Sequence, residues 1–255
     1  MDAILTNLGA ELFFVSLAIA VFAGVIKGMV GFGMPMVLVS GLSTFLSPEW
    51  ALAGLILPTI VSNWFQALRQ GPRAAMNSVV RFRTFLIVGA ITLVISAQFV
   101  RLLPQNAFLL VIGLPVTIFA AMQLLGVNLR LARPSFRIEA VIGAIAGLIG
   151  GVSGVWGPPT VAYLTALDTE KTEQVRVQGV IYGLGAVLLF FAHIGSGVLR
   201  GETALFSAML LPPAILGMWF GGRIHNRIDQ TTFRKATLVI LTLAGLNLIR
   251  RALFG

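Results

Sequence analysis

Residues 23–37 read AGVIKGMVGFGMPMV, and residues 146–161 read AGLIGGVSGVWGPPTV. With one residue inserted in the second stretch, Ala23, Gly24, Ile26, Gly28, Gly31, Gly33, Pro35 and Val37 align with Ala146, Gly147, Ile149, Gly151, Gly154, Gly157, Pro159 and Val161. The offset is 123 residues before the insertion and 124 after it; downstream, Gln105 and Phe108 match Gln230 and Phe233 at 125. Glycine-rich apolar segments can resemble one another by chance. A proline at the same place in each half argues instead for an internal repeat. The chain then divides into two halves, residues 1–130 and 131–255, joined near Arg130–Arg137.

Both stretches sit inside long apolar windows. Leu12–Pro48 is interrupted only by Lys27, and Ala140–Leu167 carries no charge. Hydrophobic types make up 57% of the 255 residues and charged types 11%, against roughly 25% in a soluble domain. Mean hydropathy is +0.95. Too few polar side chains remain to cover a soluble globule, which excludes soluble, disordered and coiled-coil classes alike. The net charge of +9 would suggest nucleic acid in a soluble protein. Here the basic residues lie between apolar segments, where they set orientation and meet lipid headgroups, so no nucleic-acid partner is expected. Without cysteine there is no disulfide, iron–sulfur cluster or thiolate metal site. Asp2 and Glu11 precede any Lys or Arg, so the basic region of a signal peptide is lacking and the first apolar segment is expected to stay in the mature protein.

A membrane helix needs about 20 apolar residues. Ala51–Leu68, Thr84–Val100, Leu102–Leu129, Val177–Leu199 and Thr203–Gly222 qualify, and Ala236–Ile249 qualifies if Arg250 and Arg251 snorkel. Between them, Arg69–Arg83, Arg130–Arg137, Asp168–Arg176 and Arg223–Lys235 read as loops. The two Gly/Pro patches disfavour a continuous helix, because proline lacks an N–H and clashes with the preceding turn. Unbroken windows would give four spans per half, running in parallel. Broken windows give each half a broken helix or re-entrant hairpin plus three transmembrane helices, with the halves inverted. Positive-inside counting separates the two: the broken arrangement with the N-terminus outside puts 13 basic residues in and 4 out, the unbroken one 10 in and 7 out. The expected fold is an all-α integral membrane protein of two inverted repeats, with a periplasmic N-terminus.

Irregular backbone at membrane depth survives only where protein buries it or it lines a wet cavity. Broken helices at equivalent places in inverted halves point to a transport site near the midplane. Gly31, Gly33 and Pro35, with Gly154, Gly157, Pro158 and Pro159, are assigned to the breaks; Gly24, Gly28, Gly147 and Gly151 fit close helix packing. Lys27, one turn before the first break, suits an anion, as does the half-helix N-terminus after Gly33; snorkelling to the cytoplasmic face is the alternative. Asn63 and Gln66, about a turn apart, and more weakly Gln178, either donate to an anion or bond between helices. His193 is the candidate for a coupling proton, against a neutral interhelical hydrogen bond. Trp156 and Tyr163 either wall a pocket or anchor and pack. Pro58, Pro115, Pro212 and Pro213 read as kinks. His193 and His225 lie on separate segments, no acidic pair lies within a span, and no phosphate-binding loop is present. No enzyme activity, cofactor or metal is expected.

The paired motifs, each opening one half of the chain, resemble those of the TauE/SafE family of membrane permeases, and the resemblance covers nearly the whole chain. It implies a secondary transporter of the bacterial inner membrane for sulfite, sulfonates or related organic anions. It also raises Arg176, in EKTEQVRVQG, above an ordinary loop charge, since a guanidinium suits a sulfonate or sulfite oxygen pair; pairing with Glu173 or lipid phosphate is the alternative. Expected partners are a small anionic substrate, membrane lipid and, as an open alternative, a second copy in a homodimer. A passive anion channel and a non-transporting accessory subunit are the competing functional readings.

Overall fold

The computed structural model describes residues 9–99, 104–127, 131, 135–167, 169, 171–225 and 230–254. Every regular element among these residues is an α-helix: α1 (Ala10–Val30), α2 (Met34–Leu42), α3 (Pro48–Leu68), α4 (Pro72–Arg81), α5 (Arg83–Ala97), α6 (Gln105–Leu124), α7 (Phe136–Ser153), α8 (Gly157–Ala166), α9 (Lys171–Gly195), α10 (Gly201–His225) and α11 (Gln230–Phe254). α1, α3, α7, α9 and α10 are long and apolar enough to cross a membrane, while α6 carries a shorter apolar stretch, Leu109–Leu124. Large apolar side chains such as Phe14, Phe65, Ile87 and Leu216 face outward, as a lipid-facing surface requires. The chain is an all-helical membrane protein. Pro58, Pro115, Pro212 and Pro213 all lie inside helices.

Three of the expected loops are helical in part. Residues 69–83 contain α4, which Pro72 starts in its first turn and whose axis bends 78° from that of α5. Met76 and Val80 stay exposed on α4 while Ser78 turns inward. That pattern suits a helix lying along the membrane surface. α9 begins at Lys171 and α10 runs to His225, so parts of the loops 168–176 and 223–235 belong to helices. Residues 128–130, 132–134, 168, 170 and 226–229 lie outside the described residues, as does Arg101.

Both Gly/Pro patches break the helix, and in both halves the chain turns back on itself. α1 stops at Gly31, which adopts the left-handed conformation at φ 80°, and α2 starts from Gly33 at φ 96°. These are angles that a side chain with a Cβ resists. Near the end of α2, Gly41 lies against Ile19 in the middle of α1, so α2 returns antiparallel alongside α1. The second half does the same. α7 stops at Gly154, φ 70°. Phe85 of α5 then bridges the two arms: its N–H donates to Glu139 near the start of α7 and its ring stacks on Tyr163 of α8.

The packing partners exchange between halves. The main packing of α1 is on α10, and that of α7 is on α5. A Cβ on Gly24 or Gly28 would collide with the carbonyls of Ala214 and Met218 in α10. On Gly147 or Gly151 it would collide with those of Gly89 and Leu93 in α5. Each α5 partner lies 125 residues before its α10 counterpart. Small residues let backbones approach this closely, where dispersion and packing drive helix association. α3 packs on α9, and α6 on α11.

Two rims close the bundle. Arg81 pairs with Glu173 at 2.5 Å at one end, and Arg200 pairs with Glu49 at 3.1 Å at the other, where Arg251 also donates to the Ser43 carbonyl at 2.8 Å.

Candidate functional site

The last turn of α1 carries Lys27, and the left-handed Gly31 caps it by donating its N–H to the Lys27 carbonyl at 2.7 Å. The helix stops there, and the Lys27 side chain reaches from this last turn to α3. Lys27 is 1% exposed, and its Nζ donates to Oδ1 of Asn63. Asn63 and Gln66 are buried one turn apart on α3, and the Gln66 Nε2 donates to the Val175 carbonyl of α9 at 2.8 Å. Ser62 reaches the Met34 sulfur at the start of α2 at 3.5 Å. Gln178, three residues after Val175, is buried too. Gly31 itself faces Gln66 and Val175. The ion pairs among the described residues are Arg81–Glu173, Arg176–Glu173 and Arg200–Glu49, and none includes Lys27. A buried ammonium held by one amide is costly unless something else shares its charge.

The cluster also holds two polar atoms with no partner: the Asn63 Nδ2, a donor, and the Gln66 Oε1, an acceptor. Each orphan in a dry interior costs about 1–3 kcal/mol. With the spare N–H groups of Lys27 they leave unpaired polar atoms near the end of α1, those of Asn63 and Gln66 one turn apart on α3. Sequence reading placed Lys27, Asn63 and Gln66 in one candidate set. It did not find Ser62 or the Val175 carbonyl; the run SNWFQ offered Ser62 one residue before Asn63.

The second break has a different character. Gly154 caps α7 through the Gly150 carbonyl at 2.7 Å. Trp156 is buried against Gly150 and Gly185, with the Tyr182 ring 6.4 Å away. The Tyr182 hydroxyl donates to the Gly157 carbonyl at 3.3 Å, and Thr160 to the Trp156 carbonyl at 2.8 Å. Pro158 and Pro159 follow Gly157 in the first turn of α8, and proline has no N–H. That removes two of the donors a helix N-terminus would present to an anion. The side chain of Pro158 lies outside the described residues. Pro35 takes one donor from α2 in the same way.

The breaks do not lie at one level. Along α3, Gly31 faces Gln66 while Gly154 faces Leu52 and Leu55, a separation of about 16–21 Å at 1.5 Å per residue. The expectation of two breaks meeting at mid-membrane is corrected accordingly: each lies at the end of a helix long enough to span, because the arms fold back rather than continue. The structure thus gathers Lys27, Gly31, Asn63, Gln66 and Gln178 near one rim. It places Trp156, Gly157 and Pro159 in the second break. Arg176 stands outside both, donating to Ser78 at 3.0 Å and to Gln70, and lying 3.6 Å from Glu173. His193 is buried towards the other end of α9, with Nδ1 3.0 Å from the Ser196 hydroxyl. An apolar cavity of about 320 Å³ opens between α5, α7 and α9 and reaches Trp156; its walls carry no charged side chain.

Glu139 was not singled out from the sequence. It is 8% exposed, and accepting the Phe85 N–H at 3.1 Å satisfies a donor in the first turn of α5.

A model of the sulfite exporter TauE/SafE family matches residues 16–248. No curated protein and no solved structure matches the chain. The family match takes in both returning arms and every residue of the Lys27 cluster, and the protein belongs to the sulfite exporter TauE/SafE family of membrane permeases.

Proposed function

We propose that the protein is a secondary transporter of a small anion, sulfite, a sulfonate or a related organic anion, in the bacterial inner membrane. The observation that carries this reading is Lys27: a buried cation without a carboxylate, beside a helix break and two incompletely paired amides. An anion would supply the missing countercharge. The exchange of packing partners between α1–α10 and α7–α5 supports two inverted repeats, and repeats of that kind favour alternating access by rocking one against the other. The density of arginines at the rim holding Arg69, Arg73, Arg81, Arg83 and Arg176 supports placing that rim in the cytoplasm and the N-terminus in the periplasm.

In this scheme Lys27, Asn63 and Gln66 hold the anion, Gln178 borders them, and Gly31, Gly33 and Pro35 fix the turn that exposes them. Gly154, Trp156, Gly157, Pro158 and Pro159 form the second hairpin, at a different level. Arg176 guards the cytoplasmic rim, and His193 is the candidate for a coupling proton. The test is flux of labelled sulfite in proteoliposomes. Lys27→Gln should reduce it at least about tenfold, the scale of one charge-assisted hydrogen bond; wild-type flux and affinity in this variant would remove Lys27 from the scheme. A passive channel would give flux without counterflow, and an accessory subunit would give none when reconstituted alone.

A further inference from the structure

The two unpartnered amide atoms in the Lys27 cluster have opposite polarity, and their identities are fixed by their neighbours. An ammonium only donates, so the Asn63 atom facing Lys27 must be the oxygen, which leaves the Nδ2 donor unsatisfied. The Val175 carbonyl only accepts, so the Gln66 atom facing it must be the nitrogen, which leaves the Oε1 acceptor unsatisfied. Neither amide can be flipped without losing its existing bond. Asn63 and Gln66 lie three residues apart on α3, hence on the same face. Both are at least nine-tenths buried. The cluster therefore presents donors from Lys27 and Asn63, and one acceptor from Gln66.

A fully deprotonated oxyanion has acceptors only. It would satisfy Lys27 and Asn63 but set an oxygen lone pair against the Gln66 Oε1. From this we infer that the site selects a monoanion bearing one hydroxyl group, such as hydrogensulfite in its O-protonated form or bicarbonate, with Gln66 as the residue that reads the hydroxyl proton. The inference rests on the anion site proposed above and adds to it the protonation state of the ligand. A hydroxyl-bearing monoanion places its charged oxygens on the Lys27 ammonium and the Asn63 amide, and its O–H donates to Gln66. Sites that hydrogen-bond a ligand hydroxyl reject analogues lacking it, because their own polar group is left unpaired.

The experiment compares isosteres, each pair at a pH at which both of its members are monoanions: hydrogensulfite against methanesulfinate in mildly acidic buffer, and bicarbonate against acetate in mildly alkaline buffer, a methyl replacing the hydroxyl in each pair. Binding is measured by calorimetry on the purified full chain. The hydroxyl-bearing member of each pair should bind at least about tenfold more tightly, one hydrogen bond's worth. Gln66→Met should erase that ratio, whatever it does to the absolute affinities, since Met offers no acceptor for the hydroxyl proton. Equal binding within each pair by the wild-type protein overturns the inference, and this arm needs no variant to fold. A ratio that survives Gln66→Met overturns the role of Gln66. Binding of no anion at all, or of every anion unchanged by Lys27→Gln, would instead overturn the anion site itself.

Discussion

The Nζ of Lys27 in α1 donates to the Oδ1 of Asn63 in α3, joining two helices between which the returning arm α2 intervenes in sequence. Both residues are buried, so neither can fall back on water. Asn63→Leu should cost about 3–5 kcal/mol, because it leaves a buried charge without its partner. Lys27→Met should cost less, about 1–3 kcal/mol for one more unpaired amide atom. The double variant Lys27→Met/Asn63→Leu should be more stable than Asn63→Leu alone. Thermal unfolding in detergent checks the order. Equal stability of Asn63→Leu and wild type would mean that the ammonium does not rest on Asn63.

The glycine contacts make paired predictions in both halves. Gly28→Ala and Gly151→Ala each drive a Cβ into backbone of the facing helix and should each destabilise by about 1–3 kcal/mol. Gly222→Ala lies in the same kind of helix with open space around it. It should raise stability by about 0.5–1 kcal/mol from helix propensity alone. A thermal shift of the same sign for all three would refute the assignment of Gly28 and Gly151 to packing.

The two left-handed caps should respond unequally. Gly31→Ala pays the conformational cost, about 1–2 kcal/mol, with only ordinary contacts at 3.5 Å and beyond around the new Cβ. Gly154→Ala pays the same cost and also brings its Cβ to 2.8 Å from Leu55, so it should be the worse of the two. Asn at position 31 should be milder than Ala, because asparagine tolerates this backbone region. Melting temperatures of the three variants, read side by side, decide the matter.

Orientation can be read with thiols, since the chain has none of its own. Thr44 is exposed next to Ser43, whose carbonyl meets Arg251 at one rim, and Arg73 is exposed on α4 at the other. In intact cells an impermeant maleimide should label Thr44→Cys and spare Arg73→Cys until the membrane is opened. The reverse pattern would invert the proposed topology.

Much of this architecture was legible in the residues. Glycine and proline at 31–35 and 154–159 marked where helices must stop, because left-handed backbone and a missing N–H are local properties. The spacing of Asn63 and Gln66 put them on one face for the same reason. The direction taken after each stop was not local. It depends on Gly41 settling against Ile19 and on Phe85 bridging Glu139 and Tyr163, contacts between segments that no short window contains. Midplane breaks were therefore expected where the arms in fact start from helix ends. α4 was hidden because the arginines at 69, 73, 81 and 83 dominate its stretch and mask the two-residue apolar face of Met76 and Val80. Glu139 drew no reading from the sequence, since its task of accepting the Phe85 N–H joins helices far apart in the chain.

The surface helix α4 has no twin. It fills residues 72–81 between α3 and α5, whereas only five residues, 196–200, separate α9 from α10 in the other half. A machine built from two identical halves would rest with equal ease facing either way, since swapping the roles of the halves would return the same molecule. Here one leaflet accommodates an extra cylinder, pinned through Ser78 to Arg176 on α9, and the other leaflet does not. Under the alternating access proposed above, the two poses would differ in energy before any solute binds, and the idle state would be biased by construction rather than by cargo.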